Sequence, residues 1–316
     1  MPVISTSPAP RPTNDDICDV PGIRVGHVTL NSPGWATGCT VVVLDPAAVA
    51  GVDVRGGGPG TRETDLLDPR NVVDRVDALV LSGGSAFGLR TADGVMDAVY
   101  GSGRGWPIDP AVPEHRVPII PAAILFDLGR GEGWLNHPTA KDGSAAYAAA
   151  WTTAGVGPVE QGLVGAGTGA RIAGGSAPGG LGSASLQLPD GTRVGAIVAV
   201  NAVGAPTAWL RQAFAIPKVA MPEQPSASAG QATTIGVLAT DATLTKAECA
   251  KVAGLAHDGL ARAIAPVHTA YDGDTFFAVA TGQRPAPQRL GVVALHQAAA
   301  DVVTRAIANA LLARRP

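Results

Sequence analysis

Aromatic residues, cysteine and basic residues are all scarce in this chain of 316 residues, and each scarcity narrows what the protein can be. With 5 Trp, 3 Tyr and 5 Phe, a core must consist mainly of Ala, Val, Leu and Ile, which suits closely packed layers of strand and helix. The 23 Lys and Arg residues are outnumbered by 26 Asp and Glu residues, for a net charge of −3. This balance argues against a nucleic-acid partner.

The chain also has little that would take it out of the cytoplasm. Its three cysteines, Cys18, Cys39 and Cys249, form no CxxC pair and are odd in number, so neither a disulfide framework nor a cysteine zinc site is expected. No run approaches about 18 consecutive apolar residues, and the N-terminus has no signal-peptide pattern. We therefore expect a cytoplasmic protein without a membrane partner. Residues 1–17, rich in Pro, Ser and Thr, are predicted to be a mobile arm before one domain over residues 18–316.

Glycine and proline, at 41 and 26 residues, are abundant and punctuate short β-branched runs. Strands are predicted at 19–30, 37–44, 77–81, 117–128, 194–200, 233–241 and 275–281. Helices are predicted at 91–99, 145–154, 245–264 and 290–312. Strands come in runs without βαβ alternation, and the helices are long enough to cover them. This pattern predicts an α+β fold with stacked sheets and outer helices rather than a doubly wound parallel sheet.

The junction at Thr233 is the most informative chemical feature. Residues 217–232 (PKVAMPEQPSASAGQA) are predicted to form an exposed loop, and the strand TTIGVLATD follows at once. A threonine hydroxyl is a weak nucleophile, but an N-terminal threonine carries an α-amine of pKa ~7.7 to 8.0 that can serve as its base. Cleavage between Ala232 and Thr233 would create such a residue. A threonine-rich strand after a surface loop would explain the same residues without any chemistry.

Other motifs have plain structural explanations. GAGTGA (165–170) fits a dinucleotide fingerprint, but the GGSAPGG that follows cannot form the helix this fingerprint needs. Ser85 in SGGSAFG falls outside the nucleophile-elbow frame, so we predict a loop or pocket residue. Asp272 and Asp274 could receive a cation or a pair of N–H groups, or could form a plain turn. The histidines show no metal-ligand spacing, so no metal is expected, and a Ser-His-Asp triad stays open.

The stretch 233–282, with its TTIG, HDGLAR and DGDT blocks, resembles the DmpA-type self-cleaving hydrolases. These include the L-aminopeptidase D-amidase/D-esterase, the β-peptidyl aminopeptidases and the nylon-oligomer endo-hydrolases. Further matches are GIRVGH (22–27), VDVRGGGPGTRETDLL (52–67), LSGGSAFGL (81–89), GAGTGA (165–170), GGLGSAS (179–185) and VAVNAVG (198–204). The resemblance implies an N-terminal-nucleophile-like αββα sandwich, cut once into an α subunit, 1–232, and a β subunit, 233–316. It also implies a homo-oligomer of these heterodimers, a tetramer, and no cofactor.

Matched residue by residue, the resemblance implies a role for each of four positions. Thr233 takes the place of the nucleophile, and Asn201 takes the place of the asparagine that donates to the oxyanion. Asp272 and Asp274 lie where the nylon hydrolases have the acidic pair that supports the amine of the nucleophile, and where other members carry Ser or Glu.

Three positions depart from the pattern of the relatives. Ala232 replaces the asparagine that usually precedes the nucleophile. Phe126 stands where the nylon hydrolases have a tyrosine. Many relatives have a lysine shortly after the GAGTGA block, whereas Arg171 is the one basic residue in the RIAGGSAPGG that follows it here. The second and third departures remove polar groups near the expected pocket.

The prediction is an autoprocessed amide hydrolase that cleaves small peptides or ω-amino-acid oligomers. Ser85, Phe126, Glu63 and Asp65 are predicted to contact the substrate, the two carboxylates because they could pair with a free substrate amine. Two alternatives remain open. One is an acyl transferase like the ornithine acetyltransferases, and the other is a binding protein that never matures, which Ala232 suggests.

Overall fold

The computed structural model describes residues 14–109, 111–222 and 232–313, apart from the side chains of residues 153 and 154. The α-helices are α1 (Thr91–Gly101), α2 (Ala140–Ala150), α3 (Ala208–Phe214), α4 (Lys246–Ala263) and α5 (Leu290–Leu312). The strands are β1 (Ile23–Leu30), β2 (Thr37–Val54), β3 (Thr61–Arg62), β4 (Arg75–Ser82), β5 (Trp106–Pro107), β6 (Arg116–Val117), β7 (Ala122–Ile124), β8 (Arg171–Ile172), β9 (Ala177–Pro178), β10 (Gly180–Gln187), β11 (Arg193–Val200), β12 (Ala205–Pro206), β13 (Ile235–Ala242), β14 (Ile264–Ala265) and β15 (Thr275–Arg284).

A single hydrogen-bonded path joins nine of the strands in the order β10-β11-β13-β15-β2-β4-β7-β3, with β1 paired along β2. The neighbours are antiparallel except for β13 with β15 and β4 with β7, which are parallel. Strand β2 serves two halves of the sheet. Its residues 39–43 pair with β4 and its residues 49–54 pair with β15, and the register shifts between Val43 and Ala48.

Alternating side chains divide the interior into three cores, which shows that the two halves of the sheet face each other. The inner core between the halves includes Val42, Leu81, Ile197, Val237 and Phe277. The opposite faces of β11, β13 and β15 pack against α4 and α5, with Val198, Leu238, Phe276, Leu260 and Val303. The opposite faces of β2 and β4 pack against α1 and α2, with Val41, Val80, Val95 and Ala146. Helices, sheet, sheet and helices therefore form the predicted αββα sandwich.

Glycine lets the alanine-rich helices lie directly on the strands. A Cβ on Gly26 of β1 would stand 2.0 Å from the Ala146 carbonyl oxygen of α2, and one on Gly51 of β2 would stand 2.3 Å from the Ala250 nitrogen of α4. Any side chain there would push helix and sheet apart. This close packing explains how a sandwich forms with so few aromatic residues.

Most predicted elements are confirmed, including the capping box that starts α4, in which the Thr245 hydroxyl accepts from the Glu248 N–H. Strand β10 has no counterpart in the prediction, and the segment predicted as one strand at 117–128 is regular only at β6 and β7. Helix α5 has the length and hydropathy of a membrane-crossing helix. Its residues Leu295, Val303 and Ile307 are nevertheless buried in the outer core.

The predicted boundaries of two irregular segments need correction. Asp16 and Ile17, expected in a mobile arm, are 1% and 0% exposed, because Ile17 donates its N–H to Ser183 Oγ at 2.9 Å and so anchors the segment on β10. Residues 1–13 of that arm lie outside the described residues. Of the predicted loop 217–232, residues 223–231 also lie outside them. Ala232 is 5% exposed, so the buried structure begins before Thr233.

Candidate active site

The register of the sheet places Thr233 between the residue segment that follows β11 and the segment that precedes β15. Strand β11 pairs with β13 so that Ala199 faces Ile235, and the same register continues outward to set Asn201 opposite Thr233. On the other side, Ile235 faces Thr275 of β15, and this register sets Thr233 beside residue 273. Thr233 is 1% exposed. Its backbone N–H donates to the Asn201 carbonyl oxygen.

The carbonyl group of Ala232 is held by two donors. Thr233 Oγ1 donates to the Ala232 oxygen at 2.6 Å, and the backbone N–H of Gly273 donates to the same oxygen at 3.0 Å. Two donors on one carbonyl oxygen polarise the bond and favour attack on its carbon. The only hydroxyl that bonds to this oxygen in the described structure is the neighbouring one of Thr233.

The Asn201 side chain is fixed in one orientation by donors on its oxygen. Asn201 Oδ1 accepts from the backbone N–H of Arg171 at 2.9 Å and from Arg130 Nη1 at 2.5 Å. Its Nδ2 donates to the Phe126 carbonyl oxygen at 3.3 Å. Because the oxygen takes both donors, the amide cannot flip, and its nitrogen is the donor end.

Asp272 is buried at the turn before β15. Its Oδ2 accepts from Thr269, from the N–H at 2.9 Å and from Oγ1 at 2.6 Å. Its Oδ1 accepts from the Val203 N–H at 3.4 Å. Burial raises the pKa of Asp272, and the nearby charge of Asp274 raises it further. The carboxylate is thus held in the interior beside the nucleophile junction at some cost.

Asp274 connects the nucleophile strand to a pair of histidines. Its Oδ1 accepts from the Thr234 N–H at 2.7 Å, and its Oδ2 lies 2.8 Å from His268 Nδ1. The His268 ring meets His257 edge to face, with centroids 4.7 Å apart. Burial lowers the pKa of His257 to about 4, so that ring is neutral at neutral pH. Asp274 therefore anchors the start of β13 from the β15 side.

The glycine-rich segment after β2 clamps this turn by its backbone. Arg55 N–H donates to the Asp274 oxygen at 2.7 Å and Gly58 N–H donates to the Asp272 oxygen at 2.9 Å. A Cβ on Gly56, at φ +88°, would stand 2.4 Å from the Asp272 oxygen. Only glycine permits both this backbone conformation and this approach.

Phe126 and Ser85 lie on the Asn201 side of the junction. Besides its bond to Asn201, Phe126 has its ring 6.2 Å from that of Trp134, centroid to centroid, and Trp134 is 60% exposed. Ser85 donates its N–H to the Leu125 oxygen at 3.0 Å, one residue before Phe126. Phe126 is therefore next to an exposed aromatic ring, and half-buried Ser85 bonds to the residue that precedes Phe126.

The structure does not bring Glu63 and Asp65 into this cluster. Glu63 Oε2 accepts from the Ile120 N–H at 3.1 Å, ahead of the start of β7, whereas Phe126 follows the end of that strand. Asp65 is exposed and begins a 3-10 turn. One carboxylate oxygen of Glu63 is thus bonded to the backbone, and the predicted pairing of Glu63 or Asp65 with a substrate amine stays a prediction.

The GAGTGA segment is a structural turn and does not have the conformation of a dinucleotide-binding motif. It forms a short 3-10 turn and leads into β8, where a dinucleotide fingerprint would need a helix. The Gly169 oxygen accepts from Arg130 Nη1 at 2.5 Å. Within residues 14–109, 111–222 and 232–313, no group of three or more His, Cys, Asp or Glu side chains is arranged to hold a metal ion.

Sequence reasoning missed Arg130, His268 and the backbone N–H of Gly273. His268 stands only six residues before Asp274, so its place in the VHTAYDGD block was a usable signal. Arg130 is 71 residues from Asn201, and no spacing rule connects them.

Comparison with known proteins identifies the fold and the family. The profile of Peptidase family S58 matches residues 15–316. The chain belongs to this family. An uncharacterized aminopeptidase of Mycobacterium tuberculosis is 44% identical, over 96% of this chain and 95% of that protein. A 6-aminohexanoate-oligomer endohydrolase of Paenarthrobacter ureafaciens is 28% identical, over 86% of this chain and 77% of that protein.

Solved structures show the same fold. A β-aminopeptidase of Burkholderia sp. superposes with a TM-score of 0.72 at 26% identity, over 97% of this chain and 89% of that chain. The L-aminopeptidase D-Ala-esterase/amidase of Ochrobactrum anthropi, described as a variant of the Ntn-hydrolase fold, gives 0.70 at 21% identity, over 96% and 88%. The α+β fold is therefore of the Ntn-hydrolase type, and this S58 member is an amide-bond hydrolase.

Proposed function

We propose that this chain is a self-cleaving hydrolase whose nucleophile is Thr233. The observation that carries the proposal is the arrangement at Ala232, where one carbonyl oxygen accepts from Thr233 Oγ1 at 2.6 Å and from Gly273 N–H at 3.0 Å. The hydroxyl that would attack is already beside the bond that would break.

Self-cleavage proceeds in two steps. Thr233 Oγ1 attacks the Ala232 carbonyl carbon, its proton passes to the departing nitrogen, and the peptide bond becomes an ester. Water then hydrolyses the ester, which leaves a carboxylate on Ala232 and a free α-amine on Thr233. The Gly273 N–H holds the oxyanion of both steps. Ala232 does not impede this chemistry, because the attacked group belongs to the backbone.

The mature enzyme reuses the same hydroxyl. The neutral amine of Thr233 takes the proton from Oγ1 while Oγ1 attacks a substrate carbonyl. Asn201 Nδ2 stabilises the oxyanion, and the ammonium returns its proton to the leaving amine. Water, activated by the same amine, then releases the acyl group. Asp272 and Asp274 support the ammonium form, since each is a buried acceptor beside the strand start.

The substrate class we propose is small peptides or ω-amino-acid oligomers. The names of the relatives, an aminopeptidase and a 6-aminohexanoate-oligomer endohydrolase, support an unbranched amide with an amine nearby. The exposed Trp134 ring beside Phe126 provides an apolar rim for a methylene chain. Homo-oligomeric assembly of the cleaved chains and a cytoplasmic location belong to the same proposal.

A denaturing mass spectrum of the purified protein tests the nucleophile. We expect fragments 1–232 and 233–316, and a single uncut chain for Thr233→Ala. Thr234→Val is the matched control, because it alters the neighbouring buried threonine and keeps its backbone N–H, and it should still be cut. A wild type that stays uncut yet hydrolyses amides would remove Thr233 from the mechanism.

A further inference from the structure

Arg130 reaches the oxyanion side of the site from a separate loop. The turn after β7 closes with Arg130 N–H donating to the Asp127 oxygen at 3.3 Å, and Gly129 in this turn has φ +75°. Asp127 is itself fixed, since its Oδ1 accepts from the Gly84 N–H at 2.6 Å. The loop that carries the guanidinium is therefore held in place by these hydrogen bonds.

The contacts of the guanidinium are specific. Arg130 Nη1 donates to Asn201 Oδ1 and to the Gly169 oxygen, both at 2.5 Å. Burial lowers the pKa of Arg130 to about 10, Asp127 opposes that change and Arg171 adds to it. The side chain thus remains a cation at neutral pH. The guanidinium and the Thr233 nitrogen both bond to Asn201, the first at its side-chain oxygen and the second at its backbone oxygen.

We propose that Arg130 is a positioning residue that orients the Asn201 amide and places a fixed positive charge beside the nucleophile. By holding Oδ1, the guanidinium aims Nδ2 at the oxyanion and makes that N–H a stronger donor. Its charge also disfavours the ammonium form of Thr233, so more of the amine is the neutral base at a given pH. The proposal rests on the proposed function, since it concerns the amine that self-cleavage creates.

The pH effect must be judged against every charge around Thr233. The ionisable groups are Asp272, Asp274 and His268 on the β15 side and Asp127, Arg130 and Arg171 on the other side. The two carboxylates next to β15 favour the ammonium. Arg171 is exposed and its guanidinium bonds to Gly175, so water screens its charge. The guanidinium of Arg130, by contrast, bonds directly to the side-chain oxygen of Asn201.

The test compares Arg130→Gln with Arg130→Lys in cleaved enzyme. The probes are the p-nitroanilides of L-alanine, β-alanine and 6-aminohexanoic acid, and the rates are followed from about pH 5 to 10. Gln removes the charge but leaves Asn201 in place, so kcat should fall about tenfold or more, and by less than the ~10²-fold to 10³-fold that loss of the oxyanion donor itself costs. The acidic limb of kcat/KM should move up by about half a unit or more. KM should change little.

Arg130→Lys separates charge from geometry. Lysine keeps the positive charge but cannot reproduce the planar fork, so kcat should fall while the limb stays at its wild-type pH. Arg262→Gln is the matched control, because its guanidinium pairs with Asp301 at 2.8 Å on the far side of α4. It should change neither quantity. Circular dichroism confirms that each variant is folded.

A second measurement does not need turnover. Mature protein labelled with ¹⁵N-threonine reports the pKa of the Thr233 amine by NMR, and this pKa should rise in Arg130→Gln. If the wild type is cut and active but the glutamine variant keeps the wild-type kcat, limb and amine pKa, the role of Arg130 is wrong and the proposed function stands. A lysine variant whose limb moves as far as that of the glutamine variant also overturns it. An uncut wild type overturns both.

Discussion

The two strands that flank β13 have side chains of opposite charge near Thr233. Past the end of β11, Asn201 is held by the guanidinium of Arg130. Ahead of β15, Asp272 and Asp274 are buried and accept hydrogen bonds from the turn at Thr269, the loop at Val203, β13 and His268. Thr233 lies between a cationic side and an anionic side that are one strand apart.

Amide hydrolysis by an N-terminal threonine needs both signs. When Oγ1 attacks, negative charge develops on the substrate oxygen and positive charge on the amine of Thr233. In the proposed mechanism, Asn201 and Arg130 on the β11 side stabilise the first charge, and the two carboxylates on the β15 side stabilise the second. A site of one sign would stabilise one charge and oppose the other.

Removing the hydroxyl between the two sides should have the largest effect. Thr233→Ala leaves both sides intact but gives them nothing to act on, so turnover of the p-nitroanilide panel should fall by at least ~10⁴-fold. Thr233→Ser retains the hydroxyl and should keep most of the rate. If the alanine variant kept the activity of the wild type, the nucleophile between the two charged sides would be a group other than Thr233.

Breaking the β11 side at its donor should cost less. Asn201→Ala should lower kcat by ~10²-fold to 10³-fold, which is typical for a lost oxyanion donor, while the enzyme stays folded. Asn309→Ala on α5 is the matched control, since that amide donates to the Ser183 oxygen at 2.8 Å and lies outside the site. An unchanged kcat in the Asn201 variant would move the oxyanion hole elsewhere.

The architecture could be predicted, and candidate reacting residues could be named, because their signals are local in sequence or lie in short blocks. The capping box of α4 follows from Thr245 and Glu248 alone. Thr233, Asn201, Asp272 and Asp274 stand in blocks that resemble a known family. Strand β10 escaped because Gly180–Gln187 is rich in Gly, Ser and Ala, and its strand character comes from pairing with β11 and packing under α5.

Arg130 and the role of Glu63 could not be predicted, for a related reason. Each depends on a hydrogen bond to a residue distant in sequence, 71 positions away for Arg130 and 57 for Glu63. The sequence pattern predicted only a substrate contact for Glu63, and its backbone hydrogen bond to Ile120 has no local signal. Charge and spacing in the sequence do not say which long-range partner wins.

The role of the two aspartates on the β15 side can be tested through the pH dependence of kcat/KM. Asp272→Asn and Asp274→Asn each remove a negative charge that favours the ammonium, so the acidic limb of kcat/KM in mature enzyme should move to lower pH. This is opposite to the shift expected for Arg130→Gln. Asp301→Asn at the surface is the control and should not move the limb. If neither aspartate variant moves it, Asp272 and Asp274 form a plain turn.

The smallest expected effect concerns the stability cost of the anionic side. Burial raises the pKa of Asp272 above 3.8, so the folded state prefers the neutral acid. Stability from this group is therefore full below the unfolded pKa and is lost as the pH rises through the folded one. Asp272→Asn removes this loss. In an uncut Thr233→Ala background, its Tm should match the parent near pH 4 and exceed it at pH 7 by about 2 °C.

The uncut background matters because it keeps one chain in both proteins and removes any effect of cleavage on melting. Asp301→Asn in the same background is the control, since that carboxylate is 44% exposed and pairs with Arg262, and its variant should gain no stability as the pH rises. A Tm difference for Asp272→Asn that stays flat from pH 4 to 7 would mean that the hydrogen bonds from Thr269 offset the burial of the charge. The anionic side would then be as stable ionised as neutral, and holding a carboxylate beside the nucleophile would carry no cost.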